Sequence, residues 1–283
     1  MLIDEFKRSL KMPEAEEIFD LIFYRPLAFL FVKAIYKTPI TPNQVTLLSM
    51  ISALVGAWYF SVGSATSLML GAMWYAVANI LDCSDGQLAR LQMSGTLLGR
   101  VVDGFADYVA SVGIFIGLGW ALEATGPAQW LLVIAGGVSS ALHAFFFDQY
   151  QGEFMSTVRS EENFVGREVE RFETEVRRLQ SEHRGFVNVV VLKIYLKYLY
   201  LQRSSNSGLK NKRFDAKSYR NANLRMIRFW SFLGPTTNRS MLIVCALFGR
   251  IDVFLWIVSS VGNLWLLACL RKQRMIHQQL RGA

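Results

Sequence analysis

Six stretches of this chain are apolar along most of their length, at about residues 44–62, 66–90, 96–122, 127–147, 236–249 and 253–270. Several approach the roughly 20 residues that a helix needs to cross a hydrocarbon core. The fifth is the shortest, and Arg239 sits near its start, at the mouth of the span. Ahead of the first stretch, YRPLAFLFVKAIYK (24–37) mixes aromatic residues with Arg25, Lys33 and Lys37, as a helix lying in a membrane interface does. Thr38-Pro39-Ile40-Thr41-Pro42-Asn43 then breaks the pattern. The expected fold is all-α: a polytopic bundle of six transmembrane helices behind an N-terminal amphipathic interfacial helix.

Between the fourth and fifth stretches lies a long insert. Val165, Val169, Phe172, Val176 and Leu179 recur at four- and three-residue steps over 160–184, which predicts a charged helix with one apolar stripe. Such a stripe packs on its own domain or on a partner helix, and the first is expected. The run 186–201 is apolar too, but Lys193 and Lys197 share one face of it, which favours the membrane surface over a seventh crossing. QRSSNSGLKNKR (202–213) reads as a basic loop. Four regions result: an arm at 1–43, helices one to four at 44–148, a cytoplasmic or interfacial insert at 149–230, and the last two helices with a basic tail at 231–283.

Composition agrees with a membrane protein: 52% hydrophobic, 18% charged, mean hydropathy +0.28. The net charge of +8 raises nucleic acid as a partner. Its bases lie beside the spans, however, where they suit anionic head groups, so no nucleic-acid partner is expected. Of the 30 Lys and Arg residues, all but Arg250 fall on one side of a six-span bundle. The positive-inside rule puts that side, with both termini and the insert, in the cytoplasm. Cys83, Cys245 and Cys269 show no CxxC spacing, so neither a disulfide frame nor a zinc site is expected. The N-terminus lacks the apolar core of a cleaved signal peptide.

Four acidic residues break the apolar pattern. Asp82, Asp85, Asp103 and Asp107 occur in LDCSDGQLARLQMSGTLLGRVVDGFADY (81–108), and ionisable groups at membrane depth are costly enough to suggest function. Asp82 and Asp85 are three apart on one helix; Gly99, Asp103 and Asp107 are each four apart on the next. A turn around Ser94-Gly95-Thr96 lets the two helices aim four carboxylates into one cleft. Carboxylates so close repel unless cations lie between them, which points to a divalent-metal site of two ions.

This segment resembles the signature of the CDP-alcohol phosphatidyltransferase family, Asp-x2-Asp-Gly-x2-Ala-Arg-x8-Gly-x3-Asp-x3-Asp. Asp82, Asp85, Gly86, Ala89, Arg90, Gly99, Asp103 and Asp107 occupy its fixed positions, a coincidence of about one in 10^10 per window at average usage. The resemblance implies that Asp82, Asp85 and Asp103 hold metal, Mg²⁺ or Mn²⁺, with Asp107 bridging or serving as the base that takes a proton from the attacking alcohol. It implies a CDP-activated donor (CDP-diacylglycerol in the first instance), an alcohol acceptor, release of CMP, a homodimer among membrane lipids, and a site facing the cytoplasm, at the inner membrane in a bacterium. Asn43 and Thr46, in Thr41-Pro42-Asn43-Gln44-Val45-Thr46, match where the family approaches the donor's phosphates; a plain helix cap explains Asn43 equally well. Arg90 adds charge to a phosphate. Gly86, Ala89 and Gly99 offer small surfaces to cytidine, to a neighbouring helix, or to both. Cys83 lies off the aspartate stripe, and His143, His183 and His277 are scattered, so a single displacement is expected without a covalent intermediate. Two alternatives stand beside this reading: transfer from a soluble CDP-alcohol, and a transporter whose aspartates bind a cation.

Overall fold

A computed structural model of the chain describes residues 2–123, 126, 128–159, 164–181, 189–190, 192–193, 195–197, 200 and 215–282. Every regular element among the described residues is helical. The arm contains α1 (Leu2–Ser9) and α2 (Arg25–Ile35), the latter entered through a π turn at Asp20–Tyr24. The first four apolar stretches become α3 (Pro42–Val62), α4 (Ala65–Leu91), α5 (Leu97–Glu123) and α6 (Gln129–Val158). The insert supplies α7 (Phe164–Ser181) and α8 (Ala216–Ser231). Then come α9 (Pro235–Leu247) and α10 (Ile251–Ile257), which continues through a π segment at Val258–Gly262 into α11 (Asn263–Gly282).

The protein is an all-α membrane helix bundle. Four helical stretches are long and apolar enough to cross a bilayer: Pro42–Val62, Leu97–Leu122, Gln129–Val158 and Ile251–Leu280. The other two expected spans are helical but less apolar or shorter. α4 carries Asp82, Asp85 and Arg90 in its last turns, and α9 has only 13 residues, Arg239 among them. Both exceptions bring charge to the centre of the molecule, as α5 does with Asp103 and Asp107.

Small residues let α3 sit tightly between α4 and α5. A Cβ built on Gly71 of α4 would meet the Phe60 ring at 2.5 Å, and one on Gly117 of α5 would meet the Ala57 carbonyl oxygen at 2.3 Å. Close backbone approach of this kind replaces the hydrophobic drive that lipid removes between helices. Backbone cannot step aside as a side chain does, so Gly117→Ala should cost about 3 kcal/mol, at the upper end of overpacking. A thermal unfolding midpoint in detergent close to that of the unmodified protein would count against this packing. α3 itself starts on a capping box: Thr41 Oγ1 accepts from Gln44 N and Gln44 Oε1 accepts from Thr41 N.

Two helices outrun their apolar stretches. α6 passes residue 147 to end at Val158, and α11 passes 270 to end at Gly282. Their extensions and α8 enclose Phe154, Tyr219, Met226, Trp230 and Ile276. Here the partners are polar as well as apolar: His277 Nε2 lies 3.0 Å from Glu153 Oε1, Tyr219 Oη donates to the same oxygen at 2.8 Å, and Trp230 Nε1 donates to Gln273 Oε1 at 3.1 Å. A continuous apolar run does not reveal such ends, because outside the membrane only one face is buried. α7 uses its stripe within the domain: Val169, Phe172 and Val176 are buried with Val101 of α5 and with Leu192 and Leu196. Lys193 and Lys197 are exposed. The Val165 side chain and the run 202–213 lie outside the described residues.

Candidate active site between α4, α5 and α9

The turn after α4 is made by Met93, whose φ of 53° lies in the left-handed region that a side chain seldom adopts. Thr96 Oγ1 then accepts from Gly99 N at 2.9 Å and opens α5. The last turns of α4 and the first turns of α5 thus lie side by side, and the two aspartate pairs converge. One carboxylate oxygen each of Asp82, Asp85 and Asp103 lie within 4.8 Å of one another. Three hard, anionic oxygens at that spacing fit a divalent cation.

Asp85 is the buried member, 5% exposed, and Thr46 Oγ1 donates to its Oδ2 at 2.6 Å. Thr46 is therefore engaged as a neighbour of the carboxylate. A hydroxyl that orients a ligand oxygen tunes the metal it holds. Thr46→Val should weaken Mn²⁺ binding about tenfold, readable by titration followed by electron paramagnetic resonance; unchanged affinity would deny Thr46 that part.

Asp107 stands apart from the three. Its Oδ1 accepts from Arg239 Nη2 at 2.6 Å, while Arg239 Nη1 donates to Asp82 Oδ2 at 2.7 Å and to Asn79 Oδ1 at 3.1 Å. One guanidinium fork therefore joins the two helices' carboxylates, and its side chain is only 11% exposed. The carboxylates are more open, Asp82 at 23% and Asp107 at 42% exposed, so solvent screens each pair. Arg239 and Asn79 were missed as site residues in the sequence. The available signals were a lone arginine in an apolar helix and an asparagine one turn before Asp82.

The remaining expected residues frame the mouth. The Arg90 guanidinium covers Gly86, where a Cβ would sit 3.2 Å from Nη1. Its Nε donates to the Ser9 carbonyl, while Nη2 is buried with no partner among the described residues. Ala89 lies in the same turn, half-buried. Asn43 Oδ1 is 3.1 Å from where a Cβ on Gly99 would be, so these two residues meet across α3 and α5. Thr41, and not Asn43, caps α3, which removes the plain-cap explanation for Asn43. His143 is buried and bonds Asn263 Oδ1 at 3.1 Å through Nε2, between α6 and α11. All three cysteines are free thiols.

Residues 39–159 match the CDP-alcohol phosphatidyltransferase family. The match takes in 121 of the 283 residues, the part of the chain that holds the four aspartates. The matched segment runs from just before α3 to the end of α6 and so contains all four aspartates, Asn43, Thr46 and Arg90, but not Arg239. Over 97 residues the chain is 35% identical to the phosphatidylinositol phosphate synthase of Mycolicibacterium smegmatis, covering 34% of this chain and 40% of that protein. It is 36% identical over 91 residues to the bifunctional IPC transferase and DIPP synthase of Rubrobacter xylanophilus, covering 31% and 20%. The protein of the same name from Thermococcus kodakarensis is 27% identical over 115 residues, covering 41% and 26%. The chain thus spans between a fifth and two-fifths of the length of these family members.

Proposed function

We propose that this protein transfers a substituted phosphate from a CDP-activated donor to the hydroxyl of a polar alcohol and releases CMP, with CDP-diacylglycerol as the donor. The observation that carries the reading is the division of labour among the carboxylates. Three cluster as a candidate cation site, and the fourth lies outside that cluster on an arginine that also reaches Asp82. Asp82, Asp85 and Asp103 hold one or two ions of Mg²⁺ or Mn²⁺, which when bound neutralise charge on the pyrophosphate and on departing CMP.

Asp107 is the base. An alcohol is a poor nucleophile at neutral pH and needs a proton acceptor at hydrogen-bond distance. Arg239 occupies Oδ1, and nothing among the described residues donates to Oδ2, which leaves that oxygen for the hydroxyl. The alcohol oxygen bonds to the donor's β-phosphorus, its proton passes to Asp107, and the bond from β-phosphorus to the bridging oxygen breaks with its electron pair leaving on CMP. Arg239 aims Asp107 through the bond to its Oδ1. Arg90, with its unpartnered Nη2, takes a donor phosphate, and Asn43, Gly86, Ala89 and Gly99 border the cytidine.

A lipid donor is favoured by an apolar groove of about 410 Å³ lined by Phe31, Leu48, Trp74, Val77, Ile80 and Leu81, among other residues. The test is CMP release by the purified protein with Mn²⁺ and CDP-diacylglycerol plus a panel of polyols. Metal-dependent cation flux into vesicles without CMP release would favour a transporter instead.

The reading also needs the cleft in the cytoplasm, where CDP-linked donors are made. Six crossings keep the basic insert and tail on that side. Single cysteines at Ser205 and Gln278, in a protein without the native three, should both resist an impermeant reagent in intact cells. Labelling of Gln278 alone would mean that 186–201 crosses the membrane.

A further inference from the structure

The N-terminal arm reaches the centre of the bundle through a buried acid. Glu17 is 3% exposed. Its Oε1 accepts from Thr236 N at 3.1 Å, and its Oε2 accepts from Thr237 N at 2.8 Å and from Thr237 Oγ1 at 2.9 Å. These are the free amides at the start of α9, whose own N-cap, Gly234, offers no side-chain acceptor. The carboxyl lies flush on that glycine: a Cβ there would be 2.1 Å from Glu17 Cδ. Glu17 is therefore the cap of a helix more than two hundred positions away. Two residues beyond Thr237 comes Arg239.

The same arm grips α9 again next to that arginine, where Ser240 Oγ donates to Tyr24 Oη at 3.1 Å. It grips α4 as well. Arg25 Nη1 donates to the Cys83 carbonyl at 3.3 Å, one residue from Asp82, and Gln87 Nε2 donates to the Arg25 carbonyl at 3.2 Å. Arg25 is in turn paired with Glu16 at 3.0 Å. Residues 16–25 thus fasten both helices that the Asp82–Arg239 bridge joins. Misplacement by about 1 Å at a catalytic group can cost a hundredfold in rate, and α9 is short enough to shift as a unit if its first turn is released.

Resting on the function proposed above, we infer that Glu17 is a positioning residue, which holds α9 so that Arg239 reaches Asp82 and Asp107 together. Glutamine at this place offers one acceptor where two are used and sets an NH₂ against an amide N–H. Four proteins test the inference in detergent: the unmodified chain, Glu17→Gln, Arg239→Lys and the double variant. Arg239→Lys keeps the charge but loses the fork that spans two carboxylates. Glu17→Gln should lower CMP release about tenfold in the unmodified background and less than about twofold beside Arg239→Lys. Equal losses in both backgrounds would overturn the inference, because Glu17 would then support the fold alone. Should Glu17→Gln fail to fold, Thr237→Val carries the same cycle, with about a threefold loss expected in the first background and none in the second. A chain that binds Mn²⁺ yet releases no CMP from any CDP-linked donor refutes the proposed function instead. Mn²⁺ affinity in the same four proteins then decides on Glu17. A gain on Glu17→Gln that disappears beside Arg239→Lys supports it, since Asp82 is freed from Arg239; an equal change in both, or none, sinks it.

Discussion

Asp107→Asn is expected to lower CMP release by about 10^3-fold or more while Mn²⁺ and donor still bind. A positioned general base contributes about 10^2–10^4-fold, and asparagine keeps the shape of the side chain but cannot take the proton. Separation of the two readouts is what the geometry demands. The cation cluster comprises Asp82, Asp85 and Asp103, and Asp107 lies outside it on the Nη2 arm of Arg239. Loss of Mn²⁺ affinity together with turnover would make Asp107 a metal ligand and leave the base unassigned. Turnover near that of the unmodified protein would remove it from the chemistry.

Asp85→Asn should act the other way round, removing the cation first and activity with it. Asp85 is the buried carboxylate of the three and has Thr46 Oγ1 on its Oδ2. The substitution takes away one charge and leaves an amide whose NH₂ can face either the cation or that hydroxyl. Changes in groups that merely orient ligands already cost about 10–100-fold in metal affinity, so a ligand itself should cost at least about 100-fold. Chelation of the unmodified protein should reproduce the loss, and added Mg²⁺ or Mn²⁺ should reverse it. Full activity in excess chelator, with metal content shown to be negligible, would be incompatible with this site.

The aspartates were legible because their signal is local. A carboxylate in an apolar helix is conspicuous, and the three- and four-residue spacings state which face it occupies. For the same reason the six apolar stretches from residue 44 onward are legible as helices, and so is the turn at Ser94-Gly95-Thr96, whereas α8 is not. What stayed hidden depends on contacts far apart in sequence. Nothing in the vicinity of Arg239 announces that it will meet Asp82 and Asp107, 157 and 132 positions away. Glu17 looks like one acid among several in an amphipathic arm, although it becomes the cap of α9. The bond from the Thr46 hydroxyl to Asp85 Oδ2, 39 positions away, is equally invisible in the sequence. The polar ends of α6 and α11 were missed because the hydropathy that defines a span falls off where the helix leaves the membrane. The helix itself continues for as long as α8 covers one face.

The central claim is that the donor's β-phosphoryl group moves to an alcohol in a single displacement. It is tested most directly by a CDP-diacylglycerol labelled with ³²P at the β-phosphorus, incubated with the reconstituted protein, Mn²⁺ and an accepted alcohol. All of the label should appear in the new lipid phosphodiester and none in the released CMP, with no labelled protein trapped on rapid quenching. Label recovered in a cytidine nucleotide, or held covalently on the chain before acceptor is added, would contradict it.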